Sequence, residues 1–224
     1  MARAIVLAVT GASGAAYARA LGRILVTAGA RVHWIVSPHG EALLRRELGV
    51  TDCSPRGVLG GDYNVGLAAC EWHEFADLAD PLACGSTFTD AMAICPCSAH
   101  TLAAVAAGLA DNLITRAAHV HLKQRRPLVL VPREMPLTVI DLENQLRLAR
   151  AGGVIAPACP GFYNAPKTAA DVVHFVASRV ADLLGVREAV VEYKKKSEIQ
   201  NPKYETSSQT PKRKTPNAHV SPTS

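Results

Sequence analysis

Apolar and polar positions along the chain switch repeatedly between two periods. Ala4–Val9 (AIVLAV) is a continuous apolar run, the pattern of a strand buried on both faces. Ala15–Ala28 then places Leu21, Ile24 and Leu25 at helical spacing, with Arg19 and Arg23 on another face. Val32–Val36 predicts a second strand and His39–Leu48 a second helix. Residues 50–90 are less regular, with glycines clustered over Gly57–Gly66 and breakers at Pro55 and Pro81. Regularity returns with a strand at Ala91–Cys95, a helix from about Thr101, and a helix over Leu113–Lys123. Leu128–Val131 (LVLV) reads as another buried strand. Val139–Arg150 reads as a helix, with Glu143 and Arg147 paired at i,i+4. Val154–Ala156 is a short strand, and Ala169–Leu184 a long helix ended by Gly185. Strands alternating with helices predict an α/β fold, a parallel sheet covered by helices on both faces.

Composition narrows the picture. Hydrophobic residues make up 49% and charged residues 19%, enough apolar material for a packed core. The formal charge of +5 sits mostly at one end: residues 187–224 hold eight Lys/Arg against four Asp/Glu, the rest sixteen against fifteen. Residues 1–186 are therefore expected to be one folded domain. Residues 187–224 are expected to be a basic, disordered tail, Lys/Ser/Thr/Pro-rich from Lys194 onward. A nucleic-acid-binding fold would carry its basic residues on the folded body, so no nucleic-acid partner is expected. The apolar run before Thr10-Gly11 is too short for a secretory signal, and Pro96, Ser98, His100 and Thr101 interrupt the uncharged stretch Ala91–Ala110 that would otherwise suggest a membrane span. Six cysteines without a disulfide-like spacing read as reduced thiols, so a cytoplasmic protein is expected.

Candidate chemistry gathers at the predicted strand ends. Thr10-Gly11-Ala12-Ser13-Gly14 follows the first strand and opens the first helix, where ligands bind in parallel sheets. The helix N-terminus there favours an anion or polar ligand edge; a bare tight turn with Ser13 as N-cap is the plainer reading. Ser37 ends the second strand, and Ser98-Ala99-His100-Thr101 follows the third, so three hydroxyl-bearing turns could line one crevice. Cys95-x-Cys97 and Cys70-x-x-His73 each lack a second ligand pair at zinc spacing, so no metal is expected. Arg133-Glu134, between Pro132 and Pro136 after a buried strand, should face the same crevice, the arginine suited to phosphate and the carboxylate to proton transfer. Tyr163 lies in a rigid Pro160–Pro166 loop.

Five segments in register carry a resemblance. T-G-A-S-G, C-P-C-S-x-x-T-L, D-N-L-I-T-R-A-A, L-K-Q-R-R-P-L-V-L-V-P-R-E-x-P and P-G-F-Y-N-x-P together resemble the UbiX/Pad-type flavin prenyltransferases across roughly residues 3–185. The resemblance implies a doubly wound, flavodoxin-like Rossmann fold that binds FMN. It implies transfer of a dimethylallyl group from dimethylallyl monophosphate to N5 and C6 of reduced FMN, without metal. The product, prenylated FMN, would serve a UbiD-type decarboxylase, and the assembly would be a homododecamer with sites at subunit junctions. By motif, Gly11, Ala12 and Ser13 would contact the flavin, with Ser13 near N5. Ser37, Ser98, Ala99, His100 and Thr101 would hold the ribityl phosphate and ring, with Arg116 a weaker candidate. Arg133 would bridge FMN and the substrate phosphate; Lys123, Tyr163 and Arg179 would bind dimethylallyl phosphate; Glu47 and Glu134 would be the acidic partners.

Family members often carry a closing Trp near the C-terminus, whereas this chain has none after Trp72. Two further readings compete. An FMN-dependent cysteine decarboxylase would carry an early catalytic His and a P-x-M-N-x-x-M-W segment; here Pro132–Pro136 stands in that place. A non-catalytic FMN carrier would not need Lys123, Glu134, Tyr163 and Arg179 together, because these make a second phosphate site.

Overall fold

The computed structural model describes residues 2–60 and 69–186. The expected tail, residues 187–224, and most of the expected Gly-rich patch lie outside the described residues. The strands are β1 (Ala4–Val9), β2 (Arg31–Val36), β3 (Cys70–His73), β4 (Ala91–Cys97), β5 (Leu128–Pro132) and β6 (Val154–Ile155). The helices are α1 (Ala15–Thr27), α2 (Pro38–Leu48), α3 (Pro55–Leu59), α4 (Ala99–Ala107), α5 (Leu113–Lys123), α6 (Val139–Arg150) and α7 (Ala169–Leu183). All strand pairs are parallel, in the order β3-β2-β1-β4-β5-β6. This is the doubly wound order of dinucleotide-binding folds, and the direction of winding reverses between β1 and β4.

The continuous apolar run of β1 has a direct cause in this arrangement. Ile5, Leu7 and Val9 pack into a core with α1 and α7, while Val6 and Ala8 pack into a second core with α4 and α5. Successive side chains point to opposite faces, so a strand covered on both sides has no position left for a polar residue. The amphipathic spacing of α1 likewise buries Ala15, Ala18, Leu21 and Leu25. Among the described residues, no helix is long and apolar enough to cross a membrane, and none of the six cysteines is joined in a disulfide.

Two differences from the expected elements have physical reasons. β3 is absent from the sequence reading because Cys-Glu-Trp-His has no apolar run. As an edge strand it pairs with β2 alone, its residues are all only half-buried, and it needs few apolar side chains. β4 runs two residues beyond Cys95, through Pro96. Its register against β5 shifts between Ile94 and Cys97, which accommodates a residue without an N–H.

Candidate functional site

The carboxyl ends of β1 and β4 are joined by one side chain. The Thr10 hydroxyl donates to the Pro96 carbonyl at 2.9 Å and accepts from the Ser98 N–H at 2.8 Å. Thr10 is buried, so these bonds form out of water and hold the two turns in a fixed relation at the reversal point of the sheet. Gly11 is required by the close approach of α2: a Cβ there would lie 2.6 Å from that of His39. Gly14 has φ 131°, a conformation open to glycine but strained for other residues.

The plainer alternative for this turn, with Ser13 as the cap of α1, does not hold in the structure. Gly14 occupies the N-cap position, and no N-cap side chain bonds to the helix. The partner comes from the end of α2 instead: Glu47 accepts from the Gly14 and Ala15 N–H groups at 2.9 and 2.8 Å. Desolvation pushes the Glu47 carboxyl upward, but those two N–H bonds, the Ser13 hydroxyl and the Arg133 charge outweigh it and leave the group below the usual carboxylate range. The start of α1 therefore already holds an anion, one belonging to the protein.

The start of α4, at the same sheet edge, has backbone donors left for a ligand anion. Ser98 is its N-cap and accepts from Thr101 N–H at 3.2 Å, and its hydroxyl donates to Thr101 Oγ1 at 3.0 Å. Ala99 and His100 occupy the first two helical positions, whose N–H groups have no acceptor within an α-helix. Ser37 is built the same way at α2, accepting from Gly40 N–H at 3.1 Å, and it is buried beside the end of β1. These hydroxyls and helix-start donors fit a phosphomonoester with a polyol arm such as that of FMN.

Arg133 and Glu134 follow β5 directly and are solvent-exposed. Arg133 is close enough to act electrostatically on both Glu47 and Tyr17. Tyr17, absent from the sequence reading, packs against Gly14: a Cβ on that glycine would sit 2.9 Å from the tyrosine ring. Burial and the neighbouring Cys95 thiol push the Tyr17 phenol up, and Arg133 partly offsets them. Its position one turn into α1, facing the end of β5, was the available signal. The Cys95 thiol is fully buried and pushed up to about 12 by desolvation, and Cys97 is raised in the same way, so neither is a nucleophile.

Not every expected residue joins this crevice within one chain. Lys123 ends α5, beside Gly85 and ahead of β5, whereas Arg133 follows β5. The strand between them spans about 16 Å. Arg116 commits its Nε to the Ala83 carbonyl at 2.9 Å. Arg179 pairs with Asp182 at 3.0 Å late in α7, whose C-terminal cap is tied to Arg3 at the start of the sheet. Tyr163 packs edge-on to Phe175 of α7, with ring centroids 5.5 Å apart.

Residues 1–181 match the profile of the family described as Flavoprotein. The chain is 46% identical over 187 residues to flavin prenyltransferase UbiX of Pseudomonas aeruginosa, covering 81% of this chain and 89% of that protein. It is 41% identical over 182 residues to flavin prenyltransferase UbiX of Methanothermobacter thermautotrophicus, covering 81% and 90%. Among solved structures, AnUbiX (PadA1) in complex with FMN and dimethylallyl pyrophosphate has a TM-score of 0.77 at 36% identity, covering 87% of this chain and 99% of that one. The dodecameric FMN-dependent UbiX-like decarboxylase of Escherichia coli O157:H7 has a TM-score of 0.72 at 42% identity, covering 81% and 94%.

Proposed function

Because this chain belongs to the flavoprotein family and, within it, to the UbiX flavin prenyltransferases, we propose that it transfers a dimethylallyl group from dimethylallyl monophosphate to N5 and C6 of reduced FMN. The observation that carries the reading is the crevice at the β1–β4 reversal point, where Ser13, Glu47, Tyr17 and Arg133 gather next to the α4 helix start. Ser37, Ser98 and Thr101 with the Ala99 and His100 amides hold the FMN phosphate and ribityl arm. Gly11, Ala12 and Ser13 lie along the ring. The bound flavin supplies the nucleophilic ring positions.

The residues of the chain supply the rest. When the allylic C–O bond breaks, its electron pair leaves with the phosphate, and Arg133 is placed to stabilise that charge. Lys123, Tyr163 and Arg179 are the further phosphate ligands. Ring closure needs a proton acceptor, and Glu134 is suited to it: among the described residues it makes no hydrogen bond or ion pair, and it stands beside Arg133. Glu47 is already committed as an ionised acceptor and acts by orienting Ser13 and Arg133. No metal takes part in this scheme.

The separation of Lys123 from Arg133 favours a site completed between subunits, with Lys123 coming from a neighbouring copy. α6 supports association: Val139 and Ile140 are 70% and 68% exposed, with Leu142 and Leu146 also on the surface and Met135 just ahead of them. A homododecamer would satisfy both features. The prenylated FMN would be passed to a UbiD-type decarboxylase. The cysteine decarboxylase reading rests on fold alone, since the solved PPC decarboxylase mutant is 20% identical with a TM-score of 0.53. Anaerobic incubation with reduced FMN and dimethylallyl monophosphate should raise the flavin mass by one isoprene unit. Unchanged flavin would leave the chain an FMN carrier.

A further inference from the structure

The edge strand that the sequence reading lacked brings together three ligand-type side chains. Parallel pairing sets His33 of β2 opposite Glu71 of β3, and His73 lies two residues further along β3 on the same face. His33 Nδ1 is 3.0 Å from His73 Nε2 and 3.3 Å from Glu71 Oε2, and the last two atoms are 3.9 Å apart. Three ligands around a tetrahedral ion with bonds of about 2.0–2.1 Å would sit about 3.3 Å from one another, close to these separations.

The surrounding groups orient these atoms. Asp80 Oδ2 lies 2.6 Å from His73 Nδ1, so that nitrogen carries the proton and Nε2 presents its lone pair to the cluster. Asp80 is itself fixed by the Leu82 N–H at 2.8 Å. This carboxylate–imidazole relay is the usual support of a histidine ligand. Arg31 pairs with the other oxygen of Glu71, leaving Oε2 for the cluster. His33 and His73 are largely enclosed, with side chains 8% and 12% exposed, while Glu71 at 42% opens a route from solvent.

We propose that His33, Glu71 and His73 bind one zinc-type divalent cation, with water in the fourth position, which clips the edge strand β3 to β2. Two imidazoles and a carboxylate suit zinc, cobalt and nickel better than magnesium or calcium. The spacing Cys70-x-x-His73 obscured this set, because the second histidine comes from a different strand. Cys70 alternates with Glu71 and His73 and belongs to the opposite face of β3, packed against the core that contains Trp34. The ion is separate from the proposed prenyl transfer, since the cluster sits on β2–β3 and not at the β1–β4 reversal.

Metal-stripped protein titrated with Co2+ tests this directly. The expected result is one equivalent per chain, displaceable by Zn2+, with visible absorption of tetrahedral strength and no thiolate charge-transfer band. Asp80→Asn should weaken binding about 10–100-fold. His33→Gln and His73→Gln should abolish it, and Cys70→Ser should leave it unchanged. Binding that survives both histidine substitutions, a thiolate band, or no uptake by the wild-type protein would overturn the proposal. The wild-type spectrum alone decides the matter if a variant fails to fold. Prenyl transfer that persists after stripping keeps this site distinct from the catalytic one.

Discussion

Thr10→Val should loosen the turn pair on which the flavin crevice is built. Valine keeps the shape of threonine but removes the hydroxyl that joins Pro96 O and Ser98 N–H. Pro96 O keeps a second donor, the Thr10 N–H at 3.2 Å, so it is not stranded. The Ser98 N–H loses its acceptor in a half-buried position. Two lost hydrogen bonds at roughly 0.5–1.5 kcal/mol each, plus about 1–3 kcal/mol for a stranded donor, place the overall cost at about 2–6 kcal/mol. For a domain of this size, at about 2–4 °C per kcal/mol, that corresponds to a fall in Tm of about 4–24 °C. FMN affinity should fall as well, because Ser98 opens the helix proposed to hold the phosphate. Thermal melts followed by circular dichroism, at fixed protein and FMN concentrations, would measure the first effect, and flavin fluorescence titration the second. Thr10→Ser keeps the hydroxyl and should recover most of both losses. A Thr10→Val protein within about 0.5 kcal/mol of wild type, below the range of one such bond, would refute the clamp.

Glu134→Gln should retain FMN and slow ring closure by about 10²–10⁴-fold, the usual worth of a general base, with partly reacted flavin detectable by mass; a wild-type rate would remove Glu134 from the mechanism. Glu47 is depressed in the folded protein, so its contribution to stability is full above the ordinary glutamate range and is lost as pH falls through its lowered value. Glu47→Gln should therefore flatten the acid limb of the stability profile, which acid titration by circular dichroism would show. Thiol labelling should reach Cys84 first, since it is exposed and its hydrogen bonds to Ser86 lower its pKa. Cys95 and Cys97 should label only on unfolding, and native-state mass mapping would check that order.

Much of the fold was legible because its central strands are covered on both sides. Ala4–Val9 and Leu128–Val131 are unbroken apolar runs for that reason, and α5 and α6 keep the bounds that their periodicity predicted. β3 was not legible, because an edge strand needs little apolar surface and four residues show little period. The site was legible as turns at strand ends, where position in a parallel sheet does the work. Its electrostatics were not. Sequence order does not show that Glu47, at the far end of α2, reaches back to the start of α1, or that Tyr17 and Arg133 face one another. The His33–His73 pair was hidden in the same way, being made by strand register rather than by spacing.

The proposed prenyl-transfer site takes its crevice from one chain and its Lys123 from another. Mixing two inactive variants, Arg133→Ala and Lys123→Ala, and letting subunits exchange before assay tests it directly. Each variant alone should give unchanged flavin mass. In a random one-to-one mixture, about one site in four would combine an intact crevice with an intact neighbouring lysine, so roughly a quarter of wild-type prenylated flavin should return. No recovery after demonstrated subunit exchange would place Lys123 and Arg133 in the same chain's site and would contradict a site shared between subunits, and a single variant that still prenylates flavin would put its residue outside the reaction.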